Sequence, residues 1–153
     1  MDEKKQSIFE TLYKVNLKDK ISKKMNLSYV SWADIWAELK KCYPDASYKV
    51  YTRTIKTVEE IKDSDNVIKN ETENEVLYFT DGHSCHVKVG VTIDGVECIE
   101  YLPVMDNRNQ SISVSLVKST DVNKAIQRAL VKACARHGLG LYIYESSGKS
   151  SPA

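Results

Sequence analysis

The chain has no long apolar run, no excess of charge of either sign and no paired cysteine motif, and each absence removes a class of protein. Nothing in its 153 residues approaches the roughly 20 consecutive apolar residues a membrane helix needs. The N-terminal stretch MDEKKQSIF is too polar for a secretory signal. No membrane partner is therefore expected, and a cytoplasmic location is. Lys and Arg number 22 against 21 Asp and Glu, a net charge of +1, so no global basic field could hold a polyanion; locally sorted cations would have to do it. Cys42, Cys85, Cys98 and Cys134 show no C-x-x-C spacing and read as reduced, mostly buried thiols.

Catalytic and cofactor motifs are equally scarce. Gly148-Lys149-Ser150 has the ending of a phosphate loop, but the first glycine of that motif falls on Ile143 and no helix follows. His83, Cys85 and His86 lie close in sequence, yet neighbours on a strand point to opposite faces and no second ligand pair accompanies them. No nucleophile–base or carboxylate pair has a recognisable spacing. The expectation is a binding protein, not an enzyme, with no metal and no cofactor.

What is present is a pattern of helices and strands filling one domain, residues 1–145, with a low-complexity tail at 146–153 expected to be disordered. Ile8, Leu12 and Val15 suggest a short helix over 7–15, followed by a Lys-rich link at 18–24. Ser31 is placed to cap a helix that ends before Pro44. That helix carries Trp32, Ile35, Trp36 and Leu39 at helical spacing, and both tryptophans read as core. Period-two alternation begins near Tyr48. Residues 55–75 carry mixed charges without an apolar face and read as an exposed insertion, with one helical turn near Val58 to Ile61.

A meander of three strands, 75–80, 83–93 and 96–104, is joined by Asp81-Gly82 and Asp94-Gly95. Asp-Gly between alternating runs is a strong hairpin signal. Cys85, Val87, Val89, Val91 and Ile93 share one face of its central strand. A two-residue turn at Asp94-Gly95 sets Lys88 opposite Tyr101 and Thr92 opposite Glu97. Lys88 beside Tyr101 places a cation and a ring together on the open face, which suits single strands or is an ordinary exposed cross-strand pair. Glu100 then falls on the apolar face, which would call for a bulge.

The segment DVNKAIQRALVKACARHGLGLYIY, from Asp121 to Tyr144, is the most informative. Asp121 or Thr120 caps a helix whose inner face is Val122, Ala125, Ile126, Ala129, Leu130 and Ala133. Gly138 ends it in a left-handed conformation, His137 reads as a cap or core histidine, and an apolar-aromatic strand follows. Lys124, Arg128, Lys132 and Arg136 recur every fourth residue, forming a ladder with rungs roughly 6 Å apart. Beyond the cap candidate Asp121, three positions before Lys124, no acidic residue stands three or four positions from the ladder within the helix, so the stripe is not a salt-bridge lattice. A solvated helix face is the plain alternative to a polyanion site, and Arg136, drifting towards the apolar edge, is also suited to a helix C-terminus.

Three blocks of this sequence, 26–48, 78–109 and 121–144, together resemble the Sak-like single-strand annealing proteins of phages and mobile elements. Ala125, Arg128, Ala129 and Leu130, followed by Gly138, Gly140, Leu141 and Tyr142, are also similar to the Rad-fifty-two annealing proteins. The resemblance implies an α+β fold in which an antiparallel β-meander packs against a long basic helix. It implies ATP-independent binding of single-stranded DNA and annealing of complementary strands in homologous recombination, on a ring-shaped or helical homo-oligomer in the cytoplasm of a bacterial host. Lys124, Arg128 and Lys132 would line the groove, with Lys88 and Tyr101 secondary. A single-strand-binding protein is a candidate helper. The alternatives are an RNA-binding module using the same groove and a non-catalytic interaction or regulatory protein. Two departures stand out: the charged stretch 56–75 is longer than the family's turn, and the tail lacks an acidic ending.

Overall fold

The computed structural model describes residues 6–24 and 27–145; the tail at 146–153 lies outside the described residues. The helices are α1 (Ile8–Tyr13), α2 (Trp32–Cys42) and α3 (Ser119–Arg136). The strands are β1 (Ser22–Lys24), β2 (Leu27–Tyr29), β3 (Ser47–Val50), β4 (Arg53–Asp63), β5 (Asn66–Val76), β6 (Phe79–Thr80), β7 (Cys85–Ile93) and β8 (Val96–Pro103). The class is α+β with antiparallel sheets.

Strand β7 organises the main sheet. β8 lies along one edge, and β6 and then β3 pair with it as well. Its inner face, Val87, Val89, Val91 and Ile93, is fully buried, worth about 2 kcal/mol per side chain as area removed from water. α3 packs on that face through Val122, Ala125, Ala129, Leu130, Ala133 and Cys134. Ala125, Ala129 and Ala133 are small enough to let helix and sheet backbones approach closely. α2 sits on the same side, where Trp36 meets Tyr48 of β3 edge-on at 5.3 Å.

Local capping follows the side chains. Ser7 and Ser31 each accept a hydrogen bond from a first-turn amide of their helix. α3 begins earlier than expected: Thr120 and Asp121 lie inside its first turn, and the Asp121 carboxylate accepts from the Lys118 amide at 3.0 Å. At its other end Gly138 has φ +117°. A Cβ there would meet the Phe9 carbonyl oxygen at 2.8 Å, so both conformation and the approach of α1 require glycine. His137 caps α3 and is buried, its Nε2 2.7 Å from the Val91 carbonyl oxygen.

Several expectations need correction. Residues 56–75 are exposed as expected, but they form regular strands, and Val58 to Ile61 form no helical turn. β4 and β5 pair over 11 residues each, from Arg53↔Val76 to Asp63↔Asn66. At about 3.3 Å per residue the arm is roughly 36 Å long, and residues 57–72 are all exposed. Two-residue alternation is present, but with solvent on both faces it carries no hydrophobic signal.

The Lys-rich link contains β1, paired with β2. Asp81-Gly82 is not a two-residue turn: Thr80 pairs with Cys85, and the Asp81 carboxylate accepts from the His83 and Ser84 amides across a four-residue loop. The segment after Gly140 is a 3-10 turn, Leu141–Ile143, not a strand. Gly140, at φ +73°, turns the chain back, and Tyr142 is buried with its hydroxyl accepting from the Leu17 amide at 3.1 Å.

Trp32 is 42% exposed and not core; it lines a groove of about 270 Å³ with Trp36, Tyr48, Ile126 and Leu130. Of the cysteines, Cys85 and Cys134 are buried, Cys98 is partly buried and Cys42 is exposed. Burial pushes the Cys134 thiol up to about 12. Among the described residues no helix is long and apolar enough to cross a membrane.

Candidate nucleic-acid interface

The inner face of α3 is fixed by the sheet, so its basic positions must face outward. Lys124, Arg128 and Arg136 are exposed and Lys132 is partly buried. Among the described residues no carboxylate pairs with Lys124, Arg128 or Lys132. Arg136 differs. Its guanidinium is ion-paired with the Glu100 carboxylate of β8, which raises the Arg136 pKa further.

This pair also disposes of the expected bulge. The β7–β8 register runs unbroken through Val89↔Glu100. Glu100 does point to the helix side, where Arg136 at the end of α3 neutralises it. A carboxylate on a buried face is tolerated because a cation is supplied there.

One residue of this surface was missed by the sequence reading. Tyr144 is 49% exposed, and the Lys132 ammonium lies 5.9 Å from its ring centroid. Its phenol is pushed up by desolvation, while the nearby positive charge of Arg128 pulls it down. The Gly140 turn is what brings this ring back against α3; a continued strand would have carried it away. The outward side of α3 thus offers three cations that have no carboxylate partner among the described residues, and a ring beside two of them. Such a surface neutralises phosphates and offers a π-face to a base.

Lys88 and Tyr101 are paired in the register that a two-residue Asp94-Gly95 turn requires. They stand on the opposite face of the sheet from α3, because Val87 and Val89, on either side of Lys88, point into the core. Within one copy the six candidate residues therefore form two separate surfaces. On the helix-free face the Lys88 ammonium lies 4.3 Å from the Tyr51 ring centroid and 5.6 Å from that of Tyr101. His86 is stacked on Phe79 at 5.6 Å on that same face, whereas Cys85 points into the core.

A cleft of about 380 Å³ separates the base of the arm, Glu75 to Tyr78, from Val117, Lys118, Val122 and Ile126 at the start of α3. The arm thus rises beside the first turns of the helix that carries the cations. Among curated proteins and among solved structures, none matches the chain. The family model described as Sak Single Strand Annealing Protein matches residues 6–152, nearly the whole chain. With a sheet backed by a helix whose cations face outward, the chain belongs to the Sak family of single-strand annealing proteins.

Proposed function

We propose that this protein binds single-stranded DNA by its phosphate backbone along the outward side of α3 and anneals complementary strands without ATP. The observation that carries the reading is the set of three cations, Lys124, Arg128 and Lys132, that have no carboxylate partner among the described residues. Helical geometry spaces them at roughly 6 Å, about two nucleotides of a stacked strand. Cations that hold phosphates leave base edges free, so a second strand can test pairing while the first stays bound. Pairing then drives annealing, since stacking supplies about 1.4 kcal/mol per step and hydrolysis is not needed. Arg136 is assigned to holding β8 and α3 together through Glu100, not to the strand. Tyr144 is assigned a stacking role beside Lys132. Association of several copies would set their α3 faces in a row, so that one strand is gripped at many points.

The test is strand binding and oligonucleotide annealing by an R128E/K132E variant, with unfolding temperature measured alongside. Retained folding with loss of both activities supports the reading; a well-folded variant that anneals like the parent overturns it. Matched DNA and RNA oligonucleotides in competition assign the natural strand, because only RNA offers a 2′-hydroxyl.

A further inference from the structure

The face of the main sheet that α3 does not cover is ordered row by row. β3, β7 and β8 bring Tyr51, Lys88 and Tyr101 into one row, since the Tyr51 amide bonds to the Lys88 carbonyl and Lys88 pairs with Tyr101. Phe79 and His86 form the row on one side. Lys49, Gly90 and Ile99 form the row on the other. Among the described residues, helices α2 and α3 both pack on the other face. Tyr101 is left 55% exposed.

The chemistry of this face is concentrated in a few groups. The Lys88 ammonium is flanked by two tyrosine rings, and the Lys49 ammonium lies 4.7 Å from the Tyr51 centroid. His86 extends the aromatic strip, 6.0 Å from Tyr101 and 5.6 Å from Phe79. One anion lies across it. The Glu97 carboxylate bridges to the Tyr51 hydroxyl at 2.8 Å, and its side chain crosses Gly90, where any Cβ would collide with it. A glycine at the centre of a strand is otherwise a weakness; here it clears the path of the Glu97 side chain.

We infer that this helix-free face is a second single-strand site, on which the bases of another strand stack on Tyr51 and Tyr101 while Lys49 and Lys88 take its phosphates, and that Glu97 occupies the anion position until the strand displaces it. Aromatic rings on an open sheet with interleaved cations are the recurrent solution for splayed bases. The inference takes from the annealing reading only the nature of the ligand. Its geometric content is independent: the two sites lie on opposite sides of one sheet, so one copy can hold two strands at once without either blocking the other.

The experiment uses the full chain and two non-complementary dT-rich oligonucleotides, the second carrying the fluorescent base 2-aminopurine, whose emission is quenched by stacking. With the first strand saturating, the parent protein should capture and quench the second. Tyr101→Ala combined with Lys88→Ala should leave first-strand affinity within about twofold but weaken second-strand capture about tenfold or more. Tyr101→Phe, which keeps the ring, should retain capture, and Glu97→Gln should strengthen it about threefold by removing the competing anion. Unchanged capture in the Tyr101/Lys88 variant, or a change in oligomer size without a change in capture, overturns the inference. Failure of the α3 site reads differently, as loss of the R128E/K132E effect on the first strand, so the two readings fail separately.

Discussion

Salt dependence gives the α3 surface a quantitative test with an internal control. On single strands, each phosphate neutralised by a protein cation contributes about 0.7 to the slope of log affinity against log salt. Lys124, Arg128 and Lys132, which have no carboxylate partner among the described residues, give a slope of about −2.1 per bound copy. A fourfold rise in salt, from about 50 to about 200 mM, should then weaken binding roughly 20-fold per copy. Neutralising two of the three with R128Q/K132Q should cut the slope to about −0.7, so that the same salt rise costs only about 2.6-fold. The fourth position of the ladder behaves differently, because Arg136 already has the Glu100 carboxylate as counterion. The charge-neutral replacement R136Q/E100Q should leave the slope where it was. Fluorescence anisotropy with a labelled dT oligonucleotide, expressed per bound copy, reads all three proteins. An unchanged slope in R128Q/K132Q, or an equal fall in R136Q/E100Q, would refute the assignment of the strand to Lys124, Arg128 and Lys132.

Gly138→Ala forces a side chain into φ +117° against the Phe9 carbonyl; it should cost about 2–3 kcal/mol and lower the melting temperature by about 5–10 °C. Replacing residues 57–72 by Asn-Gly, which keeps Lys56 opposite Glu73, should leave the melting temperature within about 3 °C, since every replaced residue is exposed; a collapse of the fold would show that the arm supports the core. Glu38 is held below the usual carboxylate range by hydrogen bonds from Lys20 and then Lys41, at 2.9 and 3.0 Å. Its stabilising contribution is therefore present above about pH 4.3, the ordinary glutamate value, and is lost as pH falls through the lowered one. Urea melts should find Glu38→Gln less stable than the parent at about pH 7 and indistinguishable from it well into acid; an equal deficit at both would contradict the linkage.

Much of the fold was legible because burial on one side writes a period into the sequence. Val87, Val89, Val91 and Ile93 announce a strand with one buried face, and Asp94-Gly95 sets its register with β8. Ala125, Ala129 and Ala133 likewise mark the side of α3 that meets the sheet. Where nothing is buried, nothing is written. The arm alternates Lys56, Val58, Glu60 and Lys62 against Glu73, Glu71, Lys69 and Val67, and with both faces in water that order looks like a charged loop. The opposite failure occurs at Leu141 to Tyr144, where four apolar and aromatic residues suggest a strand. The left-handed Gly140 and the buried Tyr142 hydroxyl make it a turn instead.

The candidate site shows the same division. The ladder on α3 follows from spacing alone, and so does the cross-strand pair of Lys88 and Tyr101. Their separation onto opposite sides of the sheet is a property of packing. Once Val89 and Val91 are known to face the helix, Lys88 can only face away. Two further assignments needed the third dimension. Glu100 removes Arg136 from the free cations, although the two are 36 positions apart in sequence, and Tyr144 joins Lys132 only because the chain reverses at Gly140.

The most direct test of the central claim is the rate at which two complementary oligonucleotides anneal at low salt, without nucleotide, comparing the parent protein with a K124E/R128E/K132E variant of unchanged melting temperature. Acceleration by the parent, weakening as salt rises and absent in the variant, is the predicted result. Equal acceleration by both proteins would contradict the placement of the strand on α3, and no acceleration by the parent would contradict the annealing function itself.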